Sequence, residues 1–314
     1  MKLSIIIPFL NESENIPILA AALSQFCQEN PTLKVEVIFV DDGSKDDSVE
    51  QLKSTRHRYY VAKIVKLSKN FGSHAALRAG ILNANGDFFT FVYADLQDPL
   101  SLIVEMKKRF ESEPNLEIVW GTRRQTQNSF FETLFSKNYA KLMRKFVSPD
   151  YPPKGFDVVM FTRKVASILN ENIESNSSLF LQILTLGFKQ AFINYDKVER
   201  RIGKSKWTFD KKIKLLIDSF AAFSFAPIRA VTATGITFVI VGGCFATYLI
   251  FRKLIYQDLV SGWPMLMSIL MLGFGVTNIS LGIIAEYLWR TLDAARNRPT
   301  FIIDYKVELN HEQN

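Results

Sequence analysis

The chain has 314 residues, of which 48% are hydrophobic and 22% are charged, a composition that excludes a disordered protein. Its formal net charge of +7 suits either nucleic acid or an anionic membrane surface. Neither a basic recognition motif nor a zinc-ligand spacing is present, so we expect no nucleic acid partner. Cys27 and Cys244 show no ligand spacing, which indicates plain packing in a reducing compartment.

The first part of the chain alternates between short apolar runs and segments with helical spacing. Five runs are typical of strands: KLSIIIPFL, VEVIFVDDGS, VAKIVKL, GDFFTFVYADLQDP and LEIVWGTRR. Strands that alternate with helices predict an α/β fold with a mostly parallel, doubly wound sheet. Ligands of such sheets bind beyond the carboxyl ends of the strands.

Polar clusters occupy these predicted strand ends, namely Asn11-Glu12, Asp41-Asp42-Gly43 and Asp95-Leu-Gln-Asp98. Carboxylates accept hydrogen bonds from ribose hydroxyls and base N–H groups, and they hold a diphosphate only through Mg²⁺ or Mn²⁺. The clusters therefore predict a site for a metal-bridged nucleotide diphosphate. Neither a P-loop nor a GxGxxG fingerprint is present. The alternative is turn and cap chemistry, which aspartate also favours.

The chain from 125 to 209 is less regular. We expect helices near 129–147, 163–172 and 177–187, and strands near 156–161 and 190–196. We interpret this segment as an extension of the sheet domain that covers the edge of the sheet. The predicted catalytic domain then spans residues 1–209.

A basic amphipathic segment follows, FDKKIKLLIDSFAAFSFAP. Its apolar residues have helical spacing and lysines flank them, a pattern typical of a helix that lies in a membrane interface. We assign this interfacial helix to 210–229. An ordinary helix that packs on a core is the alternative.

Two long apolar segments predict a transmembrane hairpin, with spans at about 230–252 and 264–288, and a tail at 290–314. A pair of buried globular helices is the alternative. Basic residues are concentrated outside the connecting loop: Lys204, Lys206, Lys211, Lys212, Lys214 and Arg229 before the hairpin, and Arg290, Arg296 and Arg298 after it. This bias predicts that the catalytic domain and both termini are cytoplasmic.

Seven motifs in order give the chain a specific resemblance: SIIIPFLNESENI, VDDGSKDDS, LSKNFGSHAALRAGILNANGD, ADLQDP, RRIGKSKW, FSFAPIR and EYLWRTLDAARNRPTFII. Together they resemble the polyprenyl-phosphate glycosyltransferases, which include dolichol-phosphate mannose synthase and bacterial undecaprenyl-phosphate glucosyltransferases. The resemblance covers nearly the whole chain.

The resemblance implies a GT-A fold with a C-terminal membrane hairpin, in a bacterial inner or plasma membrane. It implies an inverting enzyme that moves one sugar from a nucleotide diphosphate sugar to undecaprenyl or dolichyl phosphate, with Mg²⁺ or Mn²⁺. UDP is favoured and GDP stays open, as do the sugar and the lipid chain. A homo-tetramer, which some relatives form, stays open too.

The resemblance also implies residue roles on the nucleotide side. Pro8, Asn11 and Glu12 would shape the nucleotide pocket, Asp41 would contact the base or ribose, and Asp42 would support the turn. Asp95 matches the second carboxylate of the family's DxD motif and is the expected direct metal ligand and a catalytic residue. Gln97 can reach the metal or a phosphate, and Asp98 belongs to the surrounding residues or to a turn.

Tyr93 stands where the family usually has the first aspartate of that motif. Tyrosine is neutral and donates a hydrogen bond, so it is a poor ligand for Mg²⁺. In one interpretation Asp95 alone anchors a metal that the diphosphate holds, and Tyr93 contacts the nucleotide. In the other the site is inactive and the protein is a scaffold.

On the lipid side the resemblance places arginines that bind phosphate, because guanidinium groups bind phosphate oxygens in pairs. The predicted acceptor-phosphate residues are Arg123, Arg124, Arg200, Arg201 and Ser205, with Arg200 also predicted to be catalytic. A solvated basic face is the alternative for each arginine. Asp157 matches the family's proposed base or acceptor-orienting residue. We favour orientation, because a phosphate monoester is already mostly dianionic at neutral pH.

Two rival functions remain open. A processive polysaccharide synthase would share the core, but such enzymes usually carry a QxxRW-type motif and more spans. A catalytically degenerate membrane scaffold is suggested by Tyr93.

Overall fold

The computed structural model describes residues 2–124, 130–174, 177–197, 226–256, 262–296 and 298–309. The chain divides into two compact units, Met1–Leu215 together with Pro299–Asn314, and Leu216–Arg298. Three predicted site residues, Arg200, Arg201 and Ser205, lie outside the described residues, as does the predicted interfacial helix up to residue 225.

The first unit alternates strands and helices along the chain. Its strands are β1 (Lys2–Phe9), β2 (Lys34–Asp41), β3 (Val61–Leu67), β4 (Phe88–Phe91), β5 (Ile118–Arg123), β6 (Val158–Thr162), β7 (Gln190–Tyr195) and β8 (Ile303–Leu309). Its helices are α1 (Ile16–Glu29), α2 (Ser48–Ser54), α3 (Ser73–Asn83), α4 (Ser101–Ser112), α5 (Phe130–Phe146), α6 (Arg163–Glu171) and α7 (Leu179–Thr185).

All eight strands belong to one sheet, in the order β7-β5-β6-β4-β1-β2-β3-β8. Strands β3, β2, β1 and β4 run parallel, and seven of the eight residues of β1 are buried. Such continuous apolar burial is expected where a parallel sheet is covered on both faces. The predicted α/β fold with a mostly parallel sheet is confirmed.

Strand β6 lies between β4 and β5 and is antiparallel to both. Its start therefore lies at the same edge of the sheet as the carboxyl ends of β4 and β5. Strand β7 is parallel to β5, with Arg123 opposite Tyr195. This arrangement brings segments far apart in sequence to one edge.

The segment predicted as a tail, 290–314, is structured differently from that prediction. The last long helix continues to Ala295, and Ile303–Leu309 forms β8, which is antiparallel to β3. Lys63 on β3 pairs with Glu308 at 3.1 Å, and the Tyr305 ring lies 5.3 Å from Nζ of Lys53. Alternate residues of β8 are exposed, which is the pattern of an edge strand with one covered face.

The second unit contains two long helices, α8 (Ala226–Tyr256) and α9 (Trp263–Ala295). Each contains a segment long and apolar enough to cross a membrane, Ile228–Arg252 with mean hydropathy 1.9 and Ile269–Ala295 with mean hydropathy 1.7. The hydroxyls of Thr232, Thr237 and Thr277 donate to carbonyls one turn earlier. Polar groups that are satisfied within their own helix suit an apolar environment. The last residues of the predicted interfacial helix, 226–229, form the first turn of α8.

Candidate active site

The polar clusters predicted from the sequence gather at one edge of the sheet. Phe9 at the end of β1 pairs with Asp41 at the end of β2, and the Asp42 N–H donates to the Phe9 carbonyl at 3.0 Å. Pro8 is buried in β1 just beyond Ile6, the last β1 residue paired with β4. Proline has no N–H, so it is tolerated where a strand has lost one neighbour.

Side-chain-to-backbone hydrogen bonds join the loops that follow β1 and β2. Asn11 has a φ of 51°, a left-handed conformation that asparagine tolerates. Its Oδ1 accepts from the Lys45 N–H, and its own N–H donates to Ser44 Oγ, both at 2.9 Å. The Glu12 N–H donates to Ser48 Oγ at 2.9 Å, and Glu12 Oε2 accepts from the Asn15 amide at 2.6 Å. Asn11 and Glu12 therefore lie beside the end of β2, as predicted.

Asp41 and Asp42 are buried and are held by backbone donors. Asp41 Oδ1 accepts from the Ser44 N–H at 2.8 Å, whereas its buried Oδ2 has no hydrogen-bond partner among the described residues. Asp42 accepts from the N–H groups of Phe71 and Gly72 at 2.7 and 3.0 Å. Burial raises the pKa of Asp42, and these two donors offset part of that rise. Because a buried polar atom normally has a partner, Asp41 Oδ2 is able to accept a hydrogen bond from a ligand or from water.

Gly43 fixes the distance between this turn and the loop at 69–72. Its φ is +80°, and a Cβ at this position would lie 2.6 Å from the backbone carbon of Lys69. Only glycine combines a positive φ with so close an approach of two backbones. The loops after β2 and β3 are therefore packed against each other.

The loop after β4 contains the DxD-like segment. Tyr93 and Asp95 are half-buried, and the Gln97 N–H lies 3.4 Å from Asp95 Oδ1. Leu96 has a φ of 50°, an uncommon conformation for this residue type. Burial raises the pKa of Tyr93, and Asp157, Asp98 and Asp95 raise it further. Tyr93 therefore stays protonated at neutral pH, and its neutral hydroxyl is able to donate a hydrogen bond.

Asp98 ends this loop in a buried position, with 7% of its surface exposed. Its Oδ1 accepts from the Tyr195 hydroxyl at 2.5 Å and lies 3.4 Å from Nζ of Lys197. Its Oδ2 is buried with no hydrogen-bond partner among the described residues. Burial raises the pKa of Asp98, although Lys197 and Tyr195 lower it in part.

Arg123 and Asp157 form a two-pronged ion pair at the same edge. Arg123 Nη2 donates to Asp157 Oδ1 at 2.5 Å, and its Nε donates to Oδ2. The Tyr195 hydroxyl lies 3.3 Å from Asp157 Oδ2. The side chains of Arg123 and Asp157 stay 30% and 20% exposed, so both can be reached from solvent. Arg124 instead points to an exposed contact, 3.6 Å from Asp196.

The sequence did not identify Tyr195 and Lys197 as site residues. Their only signal is position, since they follow the end of a predicted strand in INYDK, the same kind of place that drew attention to the acidic clusters. The missing information was the pairing of β7 with β5, which a sequence does not reveal.

A divalent metal fits this edge only if a ligand supplies part of its coordination. Among the described residues, no group of three or more His, Cys, Asp or Glu side chains could hold a metal ion. Asp95 and Gln97 offer one carboxylate and one amide oxygen, which are the hard donors that Mg²⁺ accepts. Mg²⁺ commonly takes one or two carboxylates together with substrate phosphates.

Comparison with known proteins decides the family. Residues 4–173 match the family described as glycosyl transferase family 2. The chain belongs to this family. An uncharacterised glycosyltransferase of Synechocystis is 33% identical over 307 residues, covering 96% of this chain and 95% of that protein.

Other relatives have more informative names. The prophage bactoprenol glucosyl transferase homolog of Escherichia coli is 29% identical, covering 96% of this chain and 98% of that protein. The undecaprenyl-phosphate 4-deoxy-4-formamido-L-arabinose transferase of Photorhabdus laumondii is also 29% identical, covering 99% of this chain and 98% of that protein.

A solved structure supports the GT-A-like fold of the sheet. Glucosyl-3-phosphoglycerate synthase from Mycobacterium tuberculosis, in complex with Mn²⁺, UDP and phosphoglyceric acid, aligns with a TM-score of 0.50 at 17% identity. The alignment covers 70% of this chain and 76% of that one.

Proposed function

We propose that this glycosyltransferase moves one sugar from a nucleotide diphosphate sugar, with UDP favoured, to a polyisoprenyl phosphate and inverts the anomeric centre. One observation carries the proposal: the Asp95–Asp98 loop and the Arg123–Asp157 pair lie at one edge and are linked through Tyr195. This edge offers acids for a metal-bound diphosphate and a guanidinium for a second phosphate. The names of the bactoprenol and undecaprenyl-phosphate relatives support this choice of acceptor.

The donor half of the site comprises the loops at 10–13, 41–48, 69–72 and 92–98. Here the unpartnered Oδ2 of Asp41 would accept from the base or the ribose, and Tyr93 would donate a hydrogen bond to the nucleotide. Pro8, Asn11, Glu12 and Asp42 shape this pocket through the contacts described above. Mg²⁺ or Mn²⁺, held by Asp95 and Gln97 together with the diphosphate, would stabilise the negative charge of the departing group.

The acceptor half comprises Arg123, Asp157, Tyr195 and Lys197. Asp157 occupies two N–H groups of Arg123, so the guanidinium is fixed in plane and its remaining N–H groups can bind a lipid phosphate. Arg124, Arg200, Arg201 and Ser205 would add donors. This pairing favours Asp157 as the residue that orients Arg123 over Asp157 as a base.

The chemistry needs no proton transfer from the acceptor. The second pKa of a phosphate monoester is about 6, so the lipid phosphate is mostly a dianion at neutral pH. One of its oxygens attacks the anomeric carbon and forms the new C–O bond, while the bond from that carbon to the diphosphate breaks and its electron pair leaves with the diphosphate. Alignment of the two phosphates is the main contribution of the protein.

The helices α8 and α9 suit a membrane anchor for an enzyme whose acceptor is a lipid. The charge bias around them supports a cytoplasmic catalytic unit in a bacterial inner or plasma membrane. The homo-tetramer that the resemblance leaves open stays a prediction.

Transfer of radiolabelled sugar tests the proposal. A panel of UDP- and GDP-sugars is incubated with undecaprenyl phosphate and the protein in detergent, with Mg²⁺, Mn²⁺ or EDTA. We expect a chloroform-soluble, acid-labile product that EDTA abolishes. No product with any donor from folded protein would favour the scaffold, and a product with several sugars would favour a processive synthase.

A further inference from the structure

The Tyr195 hydroxyl lies between two acids from different parts of the chain. It donates to Asp98 Oδ1 at 2.5 Å and lies 3.3 Å from Asp157 Oδ2. Tyr195 is 5% exposed, so water cannot easily replace either contact. A hydroxyl has one proton, so one acid receives it at a time and the other faces the oxygen lone pairs.

The charges around this hydroxyl are balanced. Asp98 faces Lys197 at 3.4 Å, and Asp157 faces Arg123 in the two-pronged pair. Two buried or half-buried carboxylates so near each other would repel without these cations and the shared hydroxyl. Four segments of the chain meet here: the loop after β4, the end of β5, the start of β6 and the end of β7.

Asp98 also closes the loop that carries Asp95 and Gln97. That loop contains Leu96 with a φ of 50°, a strained conformation that its surroundings must hold. The Tyr195 hydrogen bond to Asp98 is one of the contacts that fix the end of this loop. The same hydroxyl touches the acid that fixes Arg123.

We propose that Tyr195 is a positioning residue that sets the distance between the donor half and the acceptor half of the site. The inference rests on the proposed function for its catalytic consequence. Without the hydroxyl, Asp98 keeps only Lys197 as a partner among the described residues, and the loop at 92–98 loses its link to Asp157. Both halves remain, but their alignment is lost.

Tyr195→Phe tests this, because it keeps the ring in the core and removes only the hydroxyl. We expect kcat for transfer to fall about tenfold or more, since small misplacements of reacting groups have large effects on rate. The affinity for UDP with Mn²⁺ should weaken by less than kcat falls, because the loops at 10–13, 41–48 and 69–72 keep their contacts and only the loop at 92–98 is loosened. Hydrogen–deuterium exchange should become faster in the peptide that covers 92–98, and this measurement needs no activity.

Tyr60→Phe is the matched control. Tyr60 is also buried, and its hydroxyl lies 2.9 Å from Nδ1 of His57, away from the candidate site. This variant should lose stability but keep transfer and loop exchange unchanged. A double variant, Tyr195→Phe with Asp157→Asn, should lower kcat by a factor smaller than the product of the two single factors, because the two residues act as a unit.

The outcomes separate this inference from the proposed function. If the unaltered protein transfers no sugar, the proposed function fails. Hydrogen–deuterium exchange of the 92–98 peptide then decides the role of Tyr195 by itself. If it transfers sugar and Tyr195→Phe matches Tyr60→Phe in kcat and exchange, the positioning role is overturned. If Tyr195→Phe does not fold, Asp98→Asn weakens the same hydrogen bond while keeping the tyrosine, and unchanged kcat and exchange in that variant would overturn the role.

Discussion

The acids of the site are held in two different ways. In the donor half, Asp41 and Asp42 accept from backbone N–H groups at 2.7 to 3.0 Å. Where the donor half meets the acceptor half, Asp98 at the end of the 92–98 loop and Asp157 are held by side chains: Tyr195, Lys197 and Arg123. Backbone donors move only if the fold moves, whereas side-chain cations can be drawn to an incoming anion. The contrast fits the proposed function, in which a fixed nucleotide pocket would lie beside a phosphate site that adjusts when the lipid phosphate binds.

The largest effect should come from Asp95→Asn. If the donor half depends on one carboxylate for its metal, this change should lower transfer about 10²- to 10³-fold, similar to the loss of a key electrostatic contact in other enzymes. Mn²⁺ binding in the presence of UDP, measured by calorimetry, should weaken in parallel. Asp87→Asn is the control, since Asp87 pairs with Arg163 at 3.1 Å and is exposed. Equal activity of the Asp95 variant would contradict its role.

Asp157→Asn should have the next largest effect, about tenfold to 10²-fold on kcat, because Arg123 loses the partner that orients it. The loss should be uniform across pH. The double variant Arg123→Lys with Asp157→Asn should lower kcat about as much as the more harmful single variant does, because both changes break the same ion pair. Independent effects that multiply would contradict orientation through Arg123. A loss confined to low pH would exclude Asp157 as a base, and hardly any loss would exclude both the base role and the orienting role.

Gly43→Ala should lower the free energy of unfolding by about 1–3 kcal/mol, because it combines a positive φ with a backbone clash. Gly187→Ala is a close match, since Gly187 has a φ of +76° but no heavy atom within 4 Å of the added Cβ. The difference between the two variants in chemical denaturation isolates the contact between the loops. Equal losses would show that the donor half is not held rigid by this approach.

Tyr93→Asp should strengthen Mn²⁺ binding without nucleotide by about tenfold, because a second carboxylate adds charge and a ligand. Calorimetry on the nucleotide-free protein measures it. Tyr93→Phe should leave this affinity unchanged and weaken UDP binding through the lost hydroxyl. Metal affinity that stays the same in Tyr93→Asp would mean that position 93 does not face the metal.

The smallest effect concerns a buried thiol of the core, that of Cys27. Burial raises the pKa of Cys27 from 9.0 to about 11, so the unfolded state loses this proton at lower pH than the folded state. Stability should therefore fall as pH rises from about 9 to 11, by at most about 1.4 kcal/mol per pH unit. The Tm of Cys27→Ala should lack this part of the pH dependence. If Tm depends on pH in the same way in the unaltered protein and in Cys27→Ala, the raised pKa of Cys27 is contradicted.

Much of the donor half could be predicted from the sequence, because its residues follow directly after strands that the apolar pattern identifies. Asn11, Asp41 and Asp95 lie at the predicted edge for this reason. The acceptor half depends on pairing between distant strands. The antiparallel insertion of β6 between β4 and β5 places Asp157 beside Arg123, and no local pattern encodes that order. Strand β8 was missed although IDYKVEL alternates apolar and polar residues, because it follows the two long apolar segments and everything after them was assigned to a tail.

Strand β8 shows that the two long helices are inserted, in sequence, within the first unit. Because β8 adds to the same sheet that β1 to β7 build, the residues between the two parts are an insertion into a single folded body. Both ends of the inserted segment join the first unit. If the segment crosses a bilayer, it must therefore cross it an even number of times. A protein shortened before α8 would also lack its edge strand and expose β3. A version without the two helices therefore has to close the gap with a linker rather than end there.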